Sequence, residues 1–144
     1  MNGIKSVLVD TSFCIRLLKK DDEYHQNAID YFEYFLENRI DIYLSTIVVA
    51  EYAVGDDPDN LLSLNTFRLL EFDYQDAKIS GDFTNELLLL KPLRDIEVRK
   101  VVINDVKLFA QIKNRKIDAY ITKDRASLSK MIEHLNSRAL KTHF

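Results

Sequence analysis

Short apolar runs that alternate with helical patterns constrain this chain more than any other feature. The first run, residues 4–9, ends in Val7-Leu8-Val9 and meets Asp10-Thr11-Ser12, residues suited to capping a helix. Ile15, Leu17 and Leu18 follow at helical spacing and close on Lys19-Lys20, favourable charges for a helix C-terminus. The pattern then repeats. Residues 23–38 carry aromatic and aliphatic side chains three or four apart, and Ile42-Tyr43-Leu44 reads as a second strand with Ser45-Thr46 capping the next helix. Gly55 and the Asp56–Asn60 cluster mark a turn, and a short helix is expected at 61–65. Residues 67–72 form a third candidate strand, and Asp76 is read as the cap of a helix ending near Pro92. A helix predicted from about Asn104 to Asn114 leads into a strand at 119–122; a helix at 128–135 and a strand at 138–142 complete the series.

Strands that alternate with helices are parallel and covered on both faces. The expected architecture is α/β: a three-layer, doubly wound sandwich around a mostly parallel sheet of about five strands, in one domain spanning residues 1–144. Cys14 has no partner for a disulfide, and no apolar run approaches the roughly 20 residues of a membrane span. Asp10 interrupts the first apolar stretch too early for a signal peptide, so a cytoplasmic setting is expected. The net charge of −3 conceals an asymmetry: residues 1–20 carry +3, 21–98 carry −13 and 99–130 carry +6. A basic region built from both ends of the chain suits a polyanion, although a solvated helix face explains the same charges.

In open α/β sheets functional groups gather at the carboxyl ends of the strands. Asp10 ends the first strand, Glu51 lies on the helix leaving the second, and Asp124 follows the 119–122 strand. Asp105, in the first turn of the helix preceding that strand, returns to the same rim. Asp118 opens its strand and belongs at the opposite rim. Each acid alone is explained by capping or by solvation. Four together would repel, and such a set suits a hard divalent cation, Mg²⁺ or Mn²⁺, with one or two ions at the site. Thr11, Ser12 and Thr122 place hydroxyls beside the acids.

The stretches Asp10-Thr11-Ser12, Ala50-Glu51, Asp105 through Ala110, and Ile121-Thr122-Lys123-Asp124 resemble the successive motifs of the PIN-domain nucleases. The likeness spans nearly the whole chain, whose size is similar to that of VapC-like toxins. It implies a Mg²⁺- or Mn²⁺-dependent endoribonuclease acting on single-stranded regions of RNA, a homodimer, and inhibition by a small antitoxin protein. By the same likeness Asp10, Glu51, Asp105 and Asp124 are the metal-site acids and Thr122 a supporting hydroxyl. The products expected of metal-assisted hydrolysis carry a 5′-phosphate and a 3′-hydroxyl. Arg16, Lys107, Lys123 and Arg125 are candidates for RNA phosphate contacts, with solvated helix-end charges as the plainer account.

Two other readings compete. A phosphotransfer receiver usually needs a second acid beside the first or two residues after it, and here Thr11 and Ser12 occupy those positions. A non-catalytic RNA- or protein-binding module of the same fold would be expected to have lost a rim acid. The three histidines are scattered, and a Gly-rich phosphate loop is missing from the sequence.

Overall fold

A computed structural model describes residues 3–88, 96–122 and 141–143, with side chains described over 3–87 and 104–122. The elements run β1 (Ser6–Val9), α1 (Thr11–Leu18), α2 (His25–Glu37), β2 (Asp41–Ser45), α3 (Thr46–Tyr52), α4 (Asp59–Leu62) and β3 (Phe67–Leu70). They continue with α5 (Tyr74–Leu88), α6 (Ile96–Arg115), β4 (Ala119–Ile121) and β5 (Lys141–His143). The helix expected at 128–135 lies outside the described residues.

The strands order β3-β2-β1-β4-β5, and every pairing is parallel. The doubly wound α/β architecture expected from the alternating pattern is therefore present. After β1 the chain steps outward through β2 to β3, then crosses back through α5 and α6 to β4 on the other side of β1. With right-handed crossovers the two halves cover opposite faces of the sheet. The direction reverses between β1 and β4, and there a crevice opens at the carboxyl ends of the strands.

Burial explains why the strands look continuous in sequence. Val7, Leu8 and Val9 are completely buried, as are Ala119 and Ile121, because helices cover both faces. Phe13, Phe35 and Val48 carry the surrounding helices onto this core, where Phe35 meets both Phe13 and Tyr31 at ring separations near 6 Å. Burying one such side chain contributes roughly 1.5–3 kcal/mol. Cys14 is buried among them, and burial pushes its thiol well above the ordinary range, so it packs rather than reacts.

The short helix expected at 61–65 is α4 and begins at Asp59, and the starts of α5 and α6 differ as well. Asp76 does not cap α5. Asp73 does so, accepting from the Asp76 N–H at 2.9 Å while the Asp76 carboxylate accepts from the Asp73 N–H at 3.0 Å. This reciprocal arrangement satisfies two orphan amides and places Asp76 in the first turn. The helix expected from Asn104 instead begins at Ile96, so Asp105 lies mid-helix rather than in a first turn. Val101, Val102 and Ile103 are β-branched and disfavour an isolated helix, but α5 packs along α6 and tertiary contact outweighs that propensity.

The amino ends of the strands have their own staple. Asp118 Oδ2 accepts from the Lys5 N–H at 2.8 Å and the Ser6 N–H at 3.2 Å, and the Asp118 N–H donates to Ser6 Oγ at 3.1 Å. Asp118 therefore joins β1 to β4 at the rim opposite the candidate site.

Candidate active site

Asp10 leaves β1 with extended backbone (φ −91°, ψ 175°), and its N–H donates to the Ile121 carbonyl of β4 at 3.2 Å. The last rung of the β1–β4 ladder thereby sets the carboxylate at the mouth of the crevice. Its Oδ1 accepts from Ser12 Oγ at 2.6 Å and from the Phe13 N–H at 2.9 Å, capping α1. Both bonds fall on one oxygen, so it is Oδ1 that caps the helix.

Glu51 sits in the last turn of α3, a helix started by Ser45, whose Oγ accepts from the Ile47 N–H at 3.1 Å. Although exposed, Glu51 is held: Thr11 Oγ1 donates to Glu51 Oε2 at 3.0 Å, tying the α3 end to the α1 start. Thr122 follows β4 and is 4% exposed. Asp105 is half-buried in the middle of α6.

The Tyr120 ring packs edge-on to Phe109 of α6 at 6.1 Å. Burial holds its hydroxyl protonated well above the ordinary tyrosine range, and the charges of Asp10, Asp105 and Glu51 reinforce the shift. Asp124, the fourth expected acid, lies outside the described residues, as do Lys123 and Arg125. Among the described residues no three Asp, Glu, His or Cys side chains approach closely enough to enclose a metal ion by themselves. The donors are nonetheless all oxygen, carboxylates with hydroxyls beside them, and fit a hard cation rather than a soft one.

The expected phosphate contacts are placed less uniformly. Lys107 is half-buried on α6 two residues past Asp105. Arg16 pairs with Asp22 at 3.6 Å, and its guanidinium lies 4.3 Å from the centre of the Tyr24 ring. A cleft of about 560 Å³, lined by Ile15, Leu18, Lys19, Glu51, Tyr52 and Val54 among others, runs between α1 and α3 to the acidic rim. Asp56 of the acidic turn also lines it, and its carboxylate accepts from the Tyr52 hydroxyl at 2.5 Å and from Asn60 Nδ2 at 3.1 Å. The Tyr52 bond, with that of Asn60, holds the Asp56 carboxyl below its usual range.

One residue of consequence escaped the sequence reading. Gln111 of α6 is completely buried; its Nε2 donates to the Leu70 carbonyl at 3.3 Å and its Oε1 accepts from Ser45 Oγ. The available signal was a single amide inside the apolar stretch Leu108-Phe109-Ala110-Gln111-Ile112.

No family model matches the chain, and no curated protein does. Solved structures do. VapBC2 from Rickettsia felis, bound to a DNA fragment from its promoter, superposes with a TM-score of 0.67 at 18% identity, covering 96% of this chain and 99% of that one. A toxin–antitoxin complex from Klebsiella pneumoniae gives 0.62 at 19% identity over 85% and 90%. Mycobacterium tuberculosis VapC20, described as a sarcin–ricin loop cleaving toxin, gives 0.57 at 16% identity over 86% and 94%. In order of elements, parallel sheet and near-complete mutual coverage, the chain has the PIN-like fold of the VapC toxins.

Proposed function

We propose that this protein is a divalent-metal-dependent endoribonuclease, the toxin of a toxin–antitoxin pair. The observation that carries the reading is the Asp10 carboxylate at the carboxyl end of β1, beside the β1–β4 switch point, with Thr11, the next residue, bonded to Glu51. The fold adds support, since the superposed structures include a toxin–antitoxin complex and a sarcin–ricin loop cleaving toxin.

Asp10, Asp105 and Glu51, with Asp124 as the fourth donor, would hold Mg²⁺ or Mn²⁺. Such an ion, when bound, offsets charge on the scissile phosphate and makes water more acidic. The chain's own groups do the rest. Asp10 is aimed by Ser12 and the Phe13 amide, and Glu51 by Thr11. Glu51 is the most exposed of the three acids and is the one placed to take a proton from an attacking water. Tyr120, buried on β4, stays protonated. In-line attack on phosphorus breaks the bond to the 3′ oxygen, leaving a 5′-phosphate and a 3′-hydroxyl. A small antitoxin covering the rim, a homodimer and a cytoplasmic setting complete the reading.

The test is cleavage of total RNA by purified protein in Mg²⁺ or Mn²⁺, with Asp10→Asn and Asp105→Asn beside it. Metal-dependent fragments with 5′-phosphate ends, absent from both variants, are expected. Identical RNA patterns in all three samples overturn the enzyme, and binding without cleavage would leave a non-catalytic RNA-binding module.

A further inference from the structure

We infer that Gln111 is a positioning residue that sets α6, and with it Asp105, against the rest of the acidic rim; this rests on the reading that the rim acids hold a divalent cation. Ser45 and Leu70 are register partners at the carboxyl ends of β2 and β3, and Gln111 bonds to both. Each atom in the link has a determined role. The Gln111 NH₂ donates to a carbonyl, so its oxygen must accept the Ser45 hydroxyl proton. Ser45 Oγ then has a lone pair for the Ile47 N–H and starts the helix that carries Glu51. A single buried amide thus joins the helix bearing Asp105 to the cap of the helix bearing Glu51. Thr11 continues the chain from Glu51 to the segment of Asp10.

An apolar side chain of similar volume would fill the space under α6 but would not choose a register. Two directional bonds to two strand ends do so. A slip of one residue along α6 moves it about 1.5 Å and turns it by about 100°, which breaks both bonds. Misplacement of about 1 Å is enough to cost a catalytic site about 100-fold. The polar residue is spent here because the site needs a position as well as a packed core.

The experiment compares wild type with Gln111→Met, Ser45→Ala, the double variant and Ser45→Thr. Mn²⁺ affinity of RNA-free protein is read by titration calorimetry, kcat and KM on an RNA oligonucleotide in Mg²⁺, and melting temperature alongside. Gln111→Met is expected to weaken Mn²⁺ binding about tenfold and lower kcat about tenfold or more, with KM within about twofold. Ser45→Thr keeps the hydroxyl and should restore both. The double variant should lose little more Mn²⁺ affinity than Gln111→Met alone, because both changes break the same link. A lowered melting temperature with unchanged Mn²⁺ affinity and kcat overturns the inference. If Gln111→Met does not fold, Ser45→Ala, which leaves the amide's volume in place, carries the same comparison. Wild type that binds Mn²⁺ yet leaves RNA intact defeats the nuclease reading alone, and the Mn²⁺ titrations still decide Gln111. Wild type that binds no Mn²⁺ defeats both.

Discussion

Thr11 Oγ1 donates to Glu51 Oε2 at 3.0 Å, joining the first turn of α1 to the last turn of α3 across forty residues of chain. An exposed glutamate otherwise samples many rotamers, and this bond selects one. Thr11→Val preserves shape and removes the donor. RNA cleavage is expected to fall about tenfold, as for loss of other groups that orient a ligand carboxylate. The melting curve should change by less than the roughly 1 kcal/mol of a typical hydrogen bond. Thr11→Ser should retain most activity; equal losses in the two variants would show that the hydroxyl is not what matters.

Asp10 both caps α1 and faces the crevice, and two substitutions separate these roles. Asparagine caps about as well as aspartate, so Asp10→Asn should unfold within about 0.5 kcal/mol of wild type yet lose metal-dependent cleavage. Asp10→Ala removes the cap as well and should cost about 1 kcal/mol in urea denaturation. Equal stability of the Asn and Ala variants would contradict the capping geometry.

Asp73 predicts behaviour in acid. The Asp76 N–H that it accepts holds its carboxyl below the ordinary value of 3.8, with Arg115, at 2.9 Å, contributing less. A group depressed in the folded state adds stability that is fully present above 3.8 and disappears as pH falls through the lower folded value. Asp73→Asn retains a capping side chain without the titration. Between pH 5 and about 2 its urea midpoint should therefore fall less steeply than that of wild type.

The alkaline limb has the opposite sign. Burial raises Tyr120 from an ordinary value of 10.0, and it raises Cys14 from 9.0. The unfolded chain releases these protons first, so stability is intact below about pH 9 and declines as pH climbs beyond each ordinary value. Tyr120→Phe should reduce the slope above about pH 10. An unchanged slope would mean that the hydroxyl ionises as readily in the folded protein.

Local pattern made much of this molecule legible. β1, β2 and β4 are nearly continuous apolar runs because both faces of the sheet are covered, and Asp10 and Ser45 follow their strands directly as helix caps. The rule for strand carboxyl ends then brings Asp10 and Glu51 to one rim, and Thr11 links them. The start of α6 was not legible, because β-branched residues at 101–103 speak against a helix that exists through packing on α5. Asp105, expected in a first turn, lies in the middle of that longer helix.

What the sequence determined by itself is the order of strands and helices and the carboxylates that end them, because propensity, capping and burial act over a few neighbouring residues. Only the tertiary structure decided that α6 begins as early as Ile96, that Asp73 rather than Asp76 caps α5, and that Gln111 bridges two strand ends. Those outcomes depend on directional bonds between segments tens of residues apart, and a hydrogen bond has no partner until packing has brought one within about 3 Å.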